Sequence, residues 1–145
     1  MRQAPKPSSR RAAAQTEGKD GEPLRQAVLT IRVDFGAFGY LGPGKVMLME
    51  LIAKHGSISA AGKEMDMSYR RAWLLVDEIN RIFRAPLVEK QMGGSGGGGA
   101  RLSTLGREVV RHYRAIEKTA ASATAADLKA LKGILAKQPR PADTD

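Results

Sequence analysis

The sequence predicts a mainly α-helical fold with one small β-hairpin and a long final helix, on three observations. Apolar residues recur at helical spacing through 45–55, 58–65, 69–83 and 104–137. A short helical stretch and a longer one meet across a tight break at Met65-Asp66-Met67, which is helix-turn-helix spacing. Two short extended pieces then flank a glycine tract, the pattern of a hairpin with a long tip.

Composition narrows the classes. The 145 residues suffice for one domain of ordinary size, and 42% apolar with 27% charged residues is a globular balance. No apolar run approaches the ~18 residues of a membrane span, so no membrane association is expected. The opening MRQAPKPSSRR has no apolar stretch behind its charges, so no secretory signal is expected and the location reads as cytoplasmic. With no cysteine and only His55 and His112, neither a thiolate nor a histidine metal site is expected. No triad or paired-carboxylate spacing stands out, so no enzyme is expected. What remains is charge: 24 Lys and Arg against 15 Asp and Glu leave +9, which points to a polyanionic partner, nucleic acid first.

Along the chain, 1–24 is rich in Pro, Gly, Ser and Ala and reads as a mildly basic disordered arm. The folding unit is expected over 25–103. From Ala27 to Phe35 the sequence alternates, with Leu29, Ile31, Val33 and Phe35 on one face, as in a half-buried strand. A turn-rich stretch with Gly36, Gly39, Gly42, Pro43 and Gly44 follows. Lys45 to His55 forms a helix with Leu48, Leu51 and Ile52 on its stripe and Gly56 at its end. Ser57 caps a two-turn helix faced by Ile58, Ala61 and Met65. Ser68 caps the next, with Ala72, Val76, Ile79 and Phe83 inward and Pro86 beyond its end. Trp73 reads as a packing residue whose indole N–H is able to reach a phosphate at the domain edge. Leu87 to Met92 and Ala100 to Leu102 make the hairpin, and Ser103 or Thr104 caps a helix over 104–137. Its stripe, with Leu105, Val109, His112 or Tyr113, Ile116, Leu128 and Leu131, is too long for one small domain to cover, so a second copy is expected against it. Residues 138–145 read as a frayed tail.

In a helix-turn-helix the second helix lies in the major groove and its first residues reach base edges. Here these are Ser68, Tyr69, Arg70 and Arg71. Two arginines in a first turn oppose the helix dipole at ~0.3–1 kcal/mol each. Guanine O6 and N7, read bidentately by Arg, supply a reason outside the helix. Phosphate contacts are assigned to Ser57, Lys63, Lys90, Arg101 and the tract Gly93, Gly94, Ser95, Gly96, Gly97, Gly98 and Gly99. Bare glycines let backbone N–H groups approach a phosphate without obstruction. The tract lacks the Lys of a nucleotide-binding GxxxxGK[ST] loop. Over 68–118 there are ten basic residues against five acidic ones, so most of the surplus charge sits on this region.

The segments GSISAAGKEMDMSYRRAW and LVEKQMGGSGGGGARLSTLG, with Ser103 in place of the usual Thr, resemble the N-terminal DNA-binding domain of the ModE family of molybdenum-responsive regulators over about 24–119. The resemblance implies a winged helix-turn-helix related to the LysR type. It also implies a homodimer with the long helix in its interface, a recognition helix beginning at Tyr69, and a wing at 93–99. Full-length members carry C-terminal molybdate-binding modules, and nothing after Asp145 supplies them. The expectation is therefore a bacterial, single-domain regulator of molybdate or other oxyanion or metal uptake genes, nucleoid-associated when bound. It would bind double-stranded DNA, with no cofactor in this chain and a separate effector-sensing protein as a partner to consider. The competing reading is a protein-interaction module on the same scaffold that has lost DNA binding.

Overall fold

The computed structural model of the chain describes residues 27–91 and 98–143. It is mainly helical, with two small antiparallel strand pairs. The chain divides into two compact units: Leu29–Ser122, and the remainder, whose described part holds the last helix.

Strand β1 (Val33–Asp34) pairs with β2 (Tyr40–Leu41) around a 3-10 turn at Gly36–Phe38. The strand expected over 27–35 is thus reduced to two paired residues. Its alternation survives: Leu29, Ile31 and Val33 are half-buried while Val28, Thr30, Arg32 and Asp34 are exposed. The missing ladder has a physical reason. The partner strand is only two residues long, and the Ile31 carbonyl is taken instead by the Tyr113 hydroxyl at 2.7 Å.

Helix α1 (Pro43–His55) starts two residues before the expected Lys45, because Pro43 is well suited to the first helical position. Gly56 ends it at φ 69°, the left-handed conformation that glycine adopts without strain. Lys45 is only 5% exposed. Its ammonium donates to the Tyr40 carbonyl at 3.0 Å, lies 3.5 Å from the Glu78 carboxylate and sits 3.6 Å over the Tyr40 ring.

Helices α2 (Ile58–Glu64) and α3 (Tyr69–Ile82) follow. Strands β3 (Val88–Gln91) and β4 (Gly99–Leu102) pair in register from Val88 with Leu102 to Gln91 with Gly99. One core unites them: Leu48, Met49 and Ile52 of α1, Ile58 and Ala61 of α2, Ala72, Leu75, Val76 and Ile79 of α3, and Leu87, Val88, Ala100 and Leu102 of the hairpin. Asn80 staples the hairpin to α3. Its Oδ1 accepts from the N–H groups of Leu87 (2.9 Å) and Val88 (3.0 Å), and its Nδ2 donates to the Val88 carbonyl (3.1 Å).

The run expected as one helix over 104–137 is two: α4 (Thr104–Ala123) and α5 (Ala125–Gly133), interrupted at Thr124 with φ −104° and ψ 5°. Within α4 only Gly106 and Tyr113 are buried, and α5 buries nothing, so no packed stripe enforces continuity through the alanine-rich junction. Ser103, rather than Thr104, caps α4: its Oγ accepts from the Gly106 N–H at 3.0 Å and donates to the Pro86 carbonyl at 2.8 Å. Arg114 locks α4 to α1 by a bidentate pair with Glu50 and also binds Glu117 at 2.6 Å. The Glu50 carboxylate above all holds its guanidinium protonated beyond the ordinary range.

Two predictions follow from α4. A Cβ on Gly106 would lie 2.3 Å from the Leu87 carbonyl oxygen. Gly106→Ala should therefore cost about 1–3 kcal/mol despite the better helix propensity of alanine, seen as a lower urea midpoint at unchanged m-value. Burial first, then the Glu117 charge, raises the Tyr113 hydroxyl above its ordinary 10.0. The unfolded chain then loses this proton first, so stability held below pH 10 should fall as pH rises through the folded value. Unfolding from pH 8 to 12 should show this extra decline in the unaltered chain and not in Tyr113→Phe.

Candidate nucleic-acid interface

The candidate surface begins at the turn between α2 and α3. Ser57 caps α2, its Oγ accepting from the Ala60 N–H at 3.2 Å, and Ser68 caps α3 by accepting from the Arg71 N–H at 3.1 Å. Both hydroxyls keep a proton to donate. The helices cross closely: a Cβ on Gly62 would fall 2.7 Å from the Ala72 Cβ. Asp66, in the turn, takes φ 54°, a conformation in which Asp is among the better tolerated residues. The ends of α1 and α2 are tied by His55 Nε2 on the Glu64 carboxylate, with Lys54 at 3.8 Å from the same group.

Ser68, Tyr69, Arg70 and Arg71 all emerge on the exposed first turn of α3, with Tyr69 62% exposed. Among the described residues neither guanidinium has a carboxylate partner. Lys63 is exposed in the last turn of α2.

The hairpin is set beside this turn by the Gly56 carbonyl, which accepts the Ala100 N–H at 2.8 Å. A Cβ on Gly99 would lie 2.9 Å from the same oxygen, so this approach needs glycine there. Between α2, α3 and the hairpin lies a cleft of about 420 Å³, lined among others by Ser57, Ser59, Tyr69, Trp73, Lys90 and Gly98. The two cations flanking the glycine tract point to opposite faces, as strand alternation requires. Lys90 shares a face with buried Val88 and rests over the Trp73 ring at 4.0 Å. Arg101 faces away and pairs with Glu89 opposite it at 3.3 Å. Of the assigned wing, Gly98 directly precedes β4 and Gly99 begins it, whereas Gly93, Gly94, Ser95, Gly96 and Gly97 lie outside the described residues. The alternation of β3 was the signal that separates Lys90 from Arg101. Asn80 and Gly56, which position the hairpin, were missed as positioning groups because neither belongs to a charge or apolar pattern.

The stripe assigned to a dimer is divided. Tyr113 is 1% exposed and bonded to Ile31, so it is unavailable to a partner. Leu105 and Val109 pack against the protein's own core. The reason is that α4 covers the hairpin and β2 with the same face. His112 is exposed near Glu108, Leu128 is half-buried, and Ile116 and Leu131 are exposed. Among the described residues no helix is long and apolar enough to cross a membrane.

No protein-family model matches the chain. It is 40% identical over 106 residues to the molybdenum-pterin-binding protein MopB of Rhodobacter capsulatus, covering 73% of this chain and 37% of that protein. It is 40% identical over 77 residues to the molybdenum transport protein ModE of Azotobacter vinelandii, with 53% and 28% covered. It is 35% identical over 88 residues to the DNA-binding transcriptional dual regulator ModE of Escherichia coli K12, with 61% and 33% covered. The chain thus spans about a third of the length of these relatives. By name these relatives are a molybdenum-pterin-binding protein, a molybdenum transport protein and a DNA-binding transcriptional regulator, not enzymes, in agreement with the non-enzymatic reading. They correct another: the expectation of no cofactor is overturned, since MopA and MopB of Rhodobacter capsulatus are both named molybdenum-pterin-binding proteins. Among the described residues no group of three or more His, Cys, Asp and Glu fits direct ligation of a metal, whereas an oxyanion held by hydrogen-bond donors needs no such group.

The uncompensated first turn of α3 makes a prediction independent of any ligand. Arg70→Ala and Arg71→Ala should each raise the thermal midpoint of the free protein slightly, because each removes a cation from a helix N-terminus. A lowered midpoint would mean that these side chains hold the fold together.

Proposed function

We propose that this chain is the DNA-binding part of a ModE-type transcriptional regulator, a winged helix-turn-helix of LysR-like kind acting in the bacterial cytoplasm. The observation that carries the reading is the position of Tyr69: it stands in the exposed, doubly cationic first turn of α3 and also lines the cleft beneath the hairpin. One surface thereby offers base-reading and backbone-holding groups together. In this reading α3 enters the major groove, with Ser68, Tyr69, Arg70 and Arg71 toward base edges. The hairpin acts as the wing, with Lys90 on the phosphate backbone and Arg101, Lys63 and Ser57 at its margins.

A homodimer would place two such helices on half-sites about one turn, ~34 Å, apart. The exposed Ile116 and Leu131, with Leu128, are its contact residues. By analogy with the relatives' names, the effector is a molybdenum compound, and the controlled genes concern its uptake.

The exposed apolar residues also favour a second reading, a protein-docking module without DNA binding. Salt separates the two: DNA affinity should fall steeply with salt, and indifference to salt supports docking. Arg70→Ala should relax specificity at one operator position at a cost of ~1–3 kcal/mol. Lys90→Ala should weaken operator and random duplex alike and flatten the log–log salt slope by ~1. Identical effects of both changes on both DNAs would remove these roles. Gel shifts with and without molybdate, against sulfate as control, test the effector: a shift confined to molybdate is expected.

A further inference from the structure

The indole N–H of Trp73 is buried and lacks a hydrogen-bond partner, and no other side-chain atom among the described residues does so. A buried donor left unmade carries the whole desolvation penalty of the group, so a native example asks for an acceptor. Trp73 lines the cleft between α3 and the hairpin. Over its face, at 4.0 Å, lies the Lys90 ammonium, and Tyr69 meets it edge-on at 5.8 Å between centroids. Arg101 is neutralised by Glu89, but Lys90 has no carboxylate partner among the described residues. No Asp or Glu is among the described residues lining the cleft, whereas the hydroxyl-bearing Ser57 and Ser59 are. A cation resting on a ring keeps its full charge for an incoming anion.

We infer that this cleft seats one backbone phosphodiester of duplex DNA, with Lys90 supplying the charge and Trp73 both positioning that charge and donating its indole N–H to a phosphate oxygen. The inference rests on the DNA reading above. A phosphate that draws the ammonium off the ring uncovers the indole and gives Nε1 the acceptor it lacks. Trp73 is then a neutral contact and Lys90 a charged one, and salt distinguishes them. Losing a neutral donor lowers affinity without changing how many counterions are released, whereas losing a cation changes both.

The test is binding of random-sequence duplex by the full chain across a salt series. Trp73→Phe keeps a ring beneath Lys90 and removes the donor, so affinity should fall about tenfold with the salt slope unchanged. Trp73→Leu removes the ring as well, so the slope should also fall, by up to about 1. Unchanged affinity in Trp73→Phe, with the unaltered chain binding in a salt-dependent way, overturns the inference alone. Absence of salt-dependent binding by the unaltered chain overturns the DNA reading itself. A second measurement needs no variant. Trp73 is the only tryptophan, so its emission reports on the cleft. Duplex should shift that emission saturably, and inorganic phosphate at equal phosphorus concentration should not. No shift, or the same shift with inorganic phosphate, overturns the assignment.

Discussion

The Gly56 carbonyl is the point on which the arrangement turns. Its residue ends α1 in a left-handed conformation, precedes the Ser57 cap of α2, and offers its oxygen to the Ala100 N–H of the hairpin at 2.8 Å. One peptide thus fixes the direction of α2 and the placement of β4. The glycine at 99 exists for the same reason, since a side chain there would collide with that oxygen. The cleft is what remains between elements aligned in this way. Asn80 secures the hairpin to α3, accepting from the Leu87 and Val88 N–H groups and donating to the Val88 carbonyl, so that the hairpin cannot slide along the helix.

Much of this was legible in the chain because it rests on local chemistry. Serine at 57, 68 and 103 caps three successive helices, and each cap is a short-range hydrogen bond that the residue type announces. The inward stripe of α3 follows from period alone, as does the alternation through Leu29, Ile31 and Val33. Periodicity reports which face is buried. It does not report which backbone groups find a ladder partner, and so the expected strand contracted to two residues once Tyr113 had taken the Ile31 carbonyl.

The remainder depended on contacts distant in sequence. Tyr113 reaches back 82 residues and Arg114 reaches back 64 to Glu50, and neither link has a sequence signature. Both turn α4 toward its own domain, which is why Leu105, Val109 and Tyr113 of the expected interface stripe pack internally, whereas Ile116 and Leu131 stay exposed. The opposite orientation of Lys90 and Arg101 is implicit in strand alternation. The cofactor expectation failed for another reason: it was drawn from where the chain stops, and the relatives' names carry more information than that endpoint.

Lys45 has a consequence for chemistry at the bench. Its amine is enclosed by the Tyr40 ring, the Tyr40 carbonyl and the Glu78 carboxylate, and it is 5% exposed. Acylating reagents, and acetyltransferases, need an accessible amine, and they will modify exposed lysines such as Lys63 while passing over this one until the domain unfolds. Its acylation would therefore serve as a mass-spectrometric signature of opening, recorded at a single residue.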